Sequence, residues 1–397
     1  MSGSYLKIGI LGGGIGGLSL SISLKKIGHQ VTVFEQSRTI STFGAGVQLS
    51  PNGLRVLNNL GVKAQINRCA YSPERIVLIN GQNNRQISEI KLGGSAFKRY
   101  QANFLQIHRS DLIKILYDTA VDLGVEFNFG NVAVIESTDE NRSIICVNKR
   151  NFEFDVAIGA DGVHSNSRES FFKVSKPRFL GQVAYRTTVP LEKVERDFCI
   201  PEVKIFLGPG RHIVLYPLLS RSLLNMVFCQ DAPQWSSEGW SVPADISELV
   251  QNFKNFKGID KLLNEIGSVH KWGLFGHNNP TRWNLGTVAL LGDACHPMLP
   301  YLAQGANQAL EDALSLGYFL SPNLGIPIPK ALDEYSKNRR DRVVKVQKAS
   351  LRNAKLYHLT SGPVRFTSHL GLKLISSVAP NFLLSQLDWL YSYNFPR

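Results

Sequence analysis

"KIGILGGGIGGLSLSISLKKIGHQVTVFE", running from Lys7 to Glu35, decides the fold. Its first five residues are a short apolar run of the kind buried in a parallel sheet. Glycines follow, and then an apolar pattern through Leu18, Leu20, Ile22, Leu24 and Ile27 predicts a helix closed by Gly28. Val31 to Glu35 supplies the next strand. A strand, a helix and a strand within about thirty residues form the unit in which glycine spacing carries meaning. Gly12, Gly14 and Gly17 spell G-x-G-x-x-G, with Gly16 inside the same turn. The three positions provide a tight turn, close backbone approach to a pyrophosphate, and close packing of helix on strand. The helix that begins there aims free N–H groups and its positive end at phosphates. Glu35 ends the second strand, where an acid hydrogen-bonds ribose hydroxyls and disfavours a 2′-phosphate. The bound nucleotide is therefore expected to be NAD or FAD, and the glycines do not separate the two.

The 397 residues exceed the roughly 250 to 300 at which single cores stop growing, so more than one domain is expected. Apolar residues at 43% and charged residues at 19% describe a folded chain and exclude a disordered one. Five scattered cysteines form no CxxC, which argues against a disulfide framework or a zinc ribbon and for a reducing, cytoplasmic setting. The glycines at the N-terminus read as a strand and turn and not as a secretory signal. Lys373, Asn381, Gln386 and Asp388 interrupt the apolar stretch Gly362 to Tyr393, which is expected to be a docked helical hairpin and not a membrane span. The net charge of +13 favours anionic partners without choosing among them. Eight Lys or Arg between Lys337 and Lys355 lack interleaved aromatics, so no nucleic acid is expected and a solvated helix face is.

A helix is expected from Pro51, short strands of a second sheet across Ser72 to Gln101, and a helix over Ser110 to Leu123 capped by Ser110. Buried strands are expected at Phe154 to Gly159 and Thr287 to Leu291. Arg178 to Gln230 has the profile of an antiparallel layer, with turns at Pro209-Gly210 and Leu219 to Ser222, and nearly everything beyond Gly305 reads as helical. The nucleotide-binding parts are thus interrupted twice by a second domain.

"DVAIGADGVHSNSR" (Asp155 to Arg168) and "LLGDACHPMLPYLAQGANQALEDA" (Leu290 to Ala313), with the N-terminal fingerprint, resemble the three motifs of the class A flavoprotein monooxygenases, the aromatic hydroxylases with the p-hydroxybenzoate hydroxylase fold. "GAGVQLSPNG", "IHRSDL", "AYRTT" and "LDWLYSYN" also look like its salicylate, 3-hydroxybenzoate and 6-hydroxynicotinate hydroxylase branch. The resemblance implies an α/β fold: a Rossmann-like FAD-binding domain at 1–72, 106–177 and 280–330, an inserted antiparallel-sheet substrate domain at 73–105 and 178–279, and a C-terminal helical region at 331–397. It implies bound FAD, NADH or NADPH as a transient reductant, and hydroxylation of an aromatic ring by O2 through a flavin C4a-hydroperoxide. It implies Asp293, after Gly292, on the flavin's ribityl or ribose hydroxyls, with the turn through Pro297 and Pro300 and the run Gln304, Gly305, Ala306, Asn307 against the ring. Gly46 and Val47 join this cofactor set, Arg109 reaches the diphosphate, and Asp161 with Gly162 supports flavin and nicotinamide.

Adjacent Cys295 and His296 point their side chains apart, which suits neither a nucleophile with its base nor a metal. Gly305 lets backbone approach a flat ring, and the N–H groups of Gly305, Ala306 and Asn307 are expected to stabilise negative charge on a reduced flavin. A flavin hydroperoxide is a mild electrophile and needs an electron-rich ring, in practice an ionised phenol. At a reference pKa of about 10, that ionisation costs roughly 4 kcal/mol at pH 7, so a positioned base is worth having. His212 and Tyr216 stand four apart on one strand and share a face. The resemblance implies that they contact the substrate's hydroxyl and carboxylate. Arg186 is a candidate either to pair with the carboxylate or to gate the flavin pocket, and Pro297 for the substrate wall. Gln48 sits where some relatives carry His, a departure that puts a proton-relay role there in doubt. A small carboxylate-bearing aromatic is the expected substrate. A lipophilic substrate taken at a membrane surface, a weak surface contact of that kind, and a homodimer stay open, as does a basic binding protein that kept the nucleotide fold without redox work.

Overall fold

The computed structural model describes residues 5–40, 45–174, 176–235, 241–277 and 282–395. Lys7–Leu11 lies inside a six-stranded sheet, in the order Asn284–Leu285, Val288–Leu290, Val156–Gly159, Lys7–Leu11, Gln30–Glu35 and Glu126–Phe129. Every neighbouring pair is parallel except the outermost hairpin, and Ile10 faces Ile158 on one side and Val33 on the other. Ile8 and Ile10 bury one face of the sheet with Leu18, Leu112, Leu116, Leu310 and Leu316, from the helices Ile15–Lys26, Arg109–Asp122 and Gly305–Phe319. On the opposite face Leu11, Phe34 and Ala157 meet Ile135, Ile145 and Phe154 of a three-stranded antiparallel meander. The strand expected from Phe154 to Gly159 is therefore two. Phe154 ends the meander, the Asp155 carboxylate accepts the Lys7 N–H at 2.6 Å, and the parallel strand starts at Val156.

A second sheet of eight strands runs Ser241–Pro243, His270–Gly276, Arg178–Pro190, Leu223–Asp231, Arg211–Leu218, Glu202–Gly208, Arg75–Asn80 and Arg85–Lys91. The layer expected to be antiparallel contains one parallel pairing, between Glu202–Gly208 and Arg75–Asn80. Side chains alternate across it with the period of two that a strand imposes. On Arg211–Leu218, Ile213 and Leu215 enter a core closed by Leu249, Phe253 and Leu262, while His212, Val214 and Tyr216 line a cavity on the other face. The antiparallel pair Gly46–Leu49 and Leu105–His108 connects the two sheets' segments. Strands were expected throughout Ser72 to Gln101, yet Gly93–Tyr100 is a helix that buries Ala96 and Tyr100. The cap expected at Ser110 moves to His108, whose ring nitrogen accepts the Ser110 N–H at 3.3 Å; the helix begins at Arg109.

The helix Ile328–Tyr357 differs from the expected solvated basic face. Arg339 is fully buried and Arg342 nearly so, because both meet carboxylates of the helix Gly305–Phe319. Arg339 Nη1 lies 2.5 Å from Glu311 and its Nε 2.7 Å from Asp312, while Arg342 Nε lies 2.6 Å from Glu311. This network pins the end of the third motif to the helix Ile328–Tyr357. The expected docked hairpin is also revised. Leu390 and Tyr391 are buried, but Gly362–Val378 turns Arg365, Ser368, Leu372 and Ser376 inward and leaves Phe366, Leu370, Leu374 and Val378 exposed. Among the described residues no helix is long and apolar enough to cross a membrane.

Candidate active site

The glycine turn leaves Lys7–Leu11 and enters the helix Ile15–Lys26. Gly12 has φ +114°, and a Cβ there would stand 2.3 Å from the Ala160 carbonyl oxygen, so the first and second motifs touch through bare backbone. A Cβ on Gly17 would stand 2.0 Å from the Gly12 oxygen, which makes this the position of close packing. Gly14, by contrast, has open space where a side chain would be, as does Gly162 at φ +79°. Glu35 accepts the Gly13 N–H at 2.8 Å and the Ser37 N–H at 2.8 Å, so its carboxylate is fixed beside the turn.

A cavity of ≈ 500 Å³ begins at Gly14 and Gly16 and reaches His212 and Tyr216. Gly46, Val47, Gln48, Arg109, Gly162, Arg186, Gly292, Asp293, Pro300, Gly305 and Ala306 also line it, so residues spread over the whole chain converge on one space. Glu35 stands just outside this lining, joined to it through Gly13. The remaining expected residues sit behind the wall. The Asp161 carboxylate accepts from Ser165 and Ser167 and so shapes its own turn. Gln304 and Asn307 are buried, and their amides tie the third motif to Ser50, Asn52 and the Gln48 carbonyl oxygen. Pro297 is buried with its carbonyl oxygen accepting from Gln347 at 2.9 Å, while its neighbour Met298 reaches the cavity.

Two guanidiniums mark the cavity as a place for anions. Burial lowers the Arg109 pKa and neighbouring Arg186 lowers it further, with Asp293 opposing. Arg186 lies over the Trp272 ring at 5.5 Å, and its buried Nε has no hydrogen-bond partner among the described residues. Enclosure pushes the Asp293 carboxyl above the usual range, against the pull of His296 and Arg109. Burial raises the Cys295 thiol far above its ordinary value, and His296 is engaged at 2.5 Å with Asp312, so the two form no nucleophile and base. Among the described residues no group of three or more His, Cys, Asp or Glu could hold a metal ion.

At the far end the walls are mostly apolar: Leu78, Ile90, Phe104, Val203, Ile205 and Val214. His212 and Tyr216 project into this end from one strand, as their spacing predicts. Burial raises the Tyr216 hydroxyl pKa, and burial beside His358 holds His212 well below its ordinary value. His212 sits among aromatic rings, with Tyr301 at 5.0 Å and Tyr357 at 5.3 Å between centroids. Sequence reading missed Tyr301, Tyr357, His358 and Tyr391. Only the terminal "LDWLYSYN" hinted that the chain's end closes the cavity, where Leu387 and Tyr391 line it.

A family model, the FAD binding domain, matches residues 5–350. The chain belongs to this family. Its open glycine positions, its paired cations and the start of the helix at Gly305 fit that cofactor. Within the family it is 33% identical over 358 residues to a 3-amino-4-hydroxybenzoate 2-monooxygenase of Streptomyces platensis, covering 90% of each chain. It is 31% identical to a 3-hydroxybenzoate 6-hydroxylase of Polaromonas naphthalenivorans, covering 98% of this chain and 96% of that one. In structure it resembles a salicylate hydroxylase in a substrate complex, with TM-score 0.83, 25% identity, and coverage of 98% and 96%. These matches assign this FAD-binding chain to the class A aromatic monooxygenases.

Proposed function

We propose that the protein is an NAD(P)H-consuming hydroxylase of a phenolic or hydroxy-N-heteroaromatic acid. One observation carries the reading: His212, Tyr216 and Arg186 converge on an otherwise largely apolar space at the end of a cavity that opens on the glycine turn. Such a space suits a flat ring with few polar groups. FAD, when bound, accepts electrons from the nicotinamide and activates O2. The protein's part is to hold and orient. Glu35 takes the adenosine ribose, the backbone at Gly14 and Gly16 with Arg109 the diphosphate, and Asp293 with Gly292 the ribityl hydroxyls. The N–H groups at the start of the helix from Gly305 would stabilise negative charge on the flavin ring. Arg186 takes the substrate carboxylate, which fits a cavity-wall arginine whose buried Nε has no hydrogen-bond partner among the described residues. His212, kept neutral by burial, accepts the phenol proton, and Tyr216 orients the ring oxygen. Apolar walls limit water, which protects the activated oxygen from wasteful release. The nicotinamide visits the same site, and the work is cytoplasmic.

The test is a panel of aromatic acids, scored by stimulated NAD(P)H oxidation with the product identified. A hydroxylated product from a phenolic acid is expected. Stimulation that yields only hydrogen peroxide with every member contradicts the reading.

A second reading has its own observation. The outward apolar face of Gly362–Val378 belongs to a stretch with no Asp or Glu between Asp341 and Asp388. Apolar exposure with positive charge suits an anionic membrane surface, from which a lipophilic substrate could be taken. Sedimentation with anionic but not neutral vesicles, lost at moderate salt, is the expected result; equal recovery with both refutes it.

A further inference from the structure

The cavity's polar wall continues outward through side chains that the proposed reaction has not used. His212 Nδ1 lies 2.8 Å from His358 Nε2, and His358 Nδ1 lies 2.6 Å from Asp231 Oδ1. Exposure rises along this line: His212 and His358 are buried, and the Asp231 side chain is 49% exposed. Three elements bring them together. His212 lies on Arg211–Leu218, Asp231 ends the adjacent strand Leu223–Asp231, and His358 follows the last turn of the helix Ile328–Tyr357.

Hydrogen-bond chemistry fixes the direction. A carboxylate only accepts, so His358 carries its proton on Nδ1 and presents a bare Nε2. That lone pair takes the His212 Nδ1–H, which leaves His212 Nε2 as the unprotonated nitrogen of a residue lining the cavity. Burial keeps both rings neutral: His212 lies well below its ordinary pKa, and His358 is lowered despite the opposing pull of Asp231. Gln182 steadies the arrangement, its Nε2 donating to Asp231 at 2.9 Å and its Oε1 accepting from Tyr301 at 2.8 Å. Among the described residues, the other charged or titratable groups around the pair include Arg211, which disfavours charge on His358, Tyr301, 3.4 Å from His358 Nε2, the Tyr357 ring, and Cys229, opposite His212 on the adjacent strand.

We propose that His358 and Asp231 set the tautomer of His212 and form the exit by which the substrate's hydroxyl proton leaves the cavity for solvent. The inference rests on the proposed phenol chemistry. The substrate O–H bond breaks as an N–H bond forms at His212 Nε2. The His212 Nδ1 proton passes to His358 Nε2, and the His358 Nδ1 proton passes to Asp231 and on to water. No electrons are exchanged, and the same path in reverse re-protonates the product hydroxyl and restores both tautomers.

The test uses the FAD-loaded enzyme and a nitrophenolic acid whose phenolate absorbs visible light, mixed in a stopped-flow instrument. Wild type is expected to ionise the bound probe near neutral pH. Asp231→Asn keeps an acceptor for His358 but cannot take its proton, and His358→Gln removes the link. Each should slow ionisation at least tenfold, while the affinity for probe already ionised at alkaline pH stays unchanged, and Asp231→Glu should restore most of the rate. A merely structural role would move affinity and FAD content instead. If both variants ionise the probe at the wild-type rate while His212→Gln does not, the exit path is overturned and the phenol reading stands. If His212→Gln ionises it as wild type does, or wild type leaves it un-ionised, the phenol reading falls and the inference with it.

Discussion

Arg339→Met removes the cation at the centre of the buried network and leaves a side chain of similar length. Arg339 donates to Glu311 at 2.5 Å, to Asp312 at 2.7 Å and to the Gln308 side chain at 2.8 Å, all without exposure. Breaking one partner out of a buried ion pair costs about 3–5 kcal/mol, because the remaining charge stays buried. At about 2.1 cal/mol/K per residue the chain unfolds with an entropy near 0.8 kcal/mol/K, so the midpoint should fall by about 4–6 °C. Acid titration reads the same network. Arg339 and His296 outweigh burial and hold Asp312 down at about 2, against an ordinary 3.8. That gap, to which His296 contributes more than Arg339, is worth about 2 kcal/mol in all, present above pH about 4 and lost as pH falls toward 2. The difference between wild type and variant should therefore narrow over that interval. Asp312 also accepts the Gly292 N–H at 3.0 Å and holds His296, so the variant should release FAD at a lower temperature. Thermal unfolding followed by circular dichroism and flavin fluorescence reads both effects. A neutral-pH loss below about 1 kcal/mol, or a difference that widens in acid, refutes the reasoning.

Gly305→Pro deletes one N–H at the start of its helix, and losing a hydrogen bond to charge, about 1.5–3 kcal/mol, should lower the two-electron flavin potential by about 30–60 mV; spectroelectrochemistry showing no change contradicts the assigned role. Arg186→Met should raise KM for carboxylated aromatics about 10- to 100-fold and leave carboxylate-free analogues nearly unaffected, and equal effects on both would exclude carboxylate pairing. Gly12→Ala forces a Cβ to within 2.3 Å of the Ala160 oxygen at φ +114°, so the purified protein should contain little FAD; full flavin content would show that the turn tolerates a side chain.

The first motif was legible to within a residue or two because periodicity, glycine spacing and a terminal acid are local signals, and Glu35 does lie beside Gly13. His212 and Tyr216 were legible for a related reason: a strand's period of two sends both to one face. What escaped depended on partners distant in sequence. Arg339 and Arg342 read as solvated until Glu311 and Asp312 were brought against them. His358 follows a long helix in a plain "KLYHLT" and gains significance only from strands that end more than a hundred residues earlier. Asp161 and Gln304 have the expected residue types, but their side chains brace the loops. The outward face of Gly362–Val378 inverted a rule, since apolar spacing marks a helix without saying which side is covered.

If one cavity holds both FAD and an aromatic acid, an oxygen atom from O2 passes to the ring. Turnover under isotopically heavy O2, with mass spectrometry of the aromatic product, tests it most directly. One heavy oxygen atom per product molecule, from a phenolic acid and with NAD(P)H consumed in equal amount, is the predicted result. A product that carries oxygen only from water, or heavy oxygen found solely in hydrogen peroxide across the panel, would contradict it.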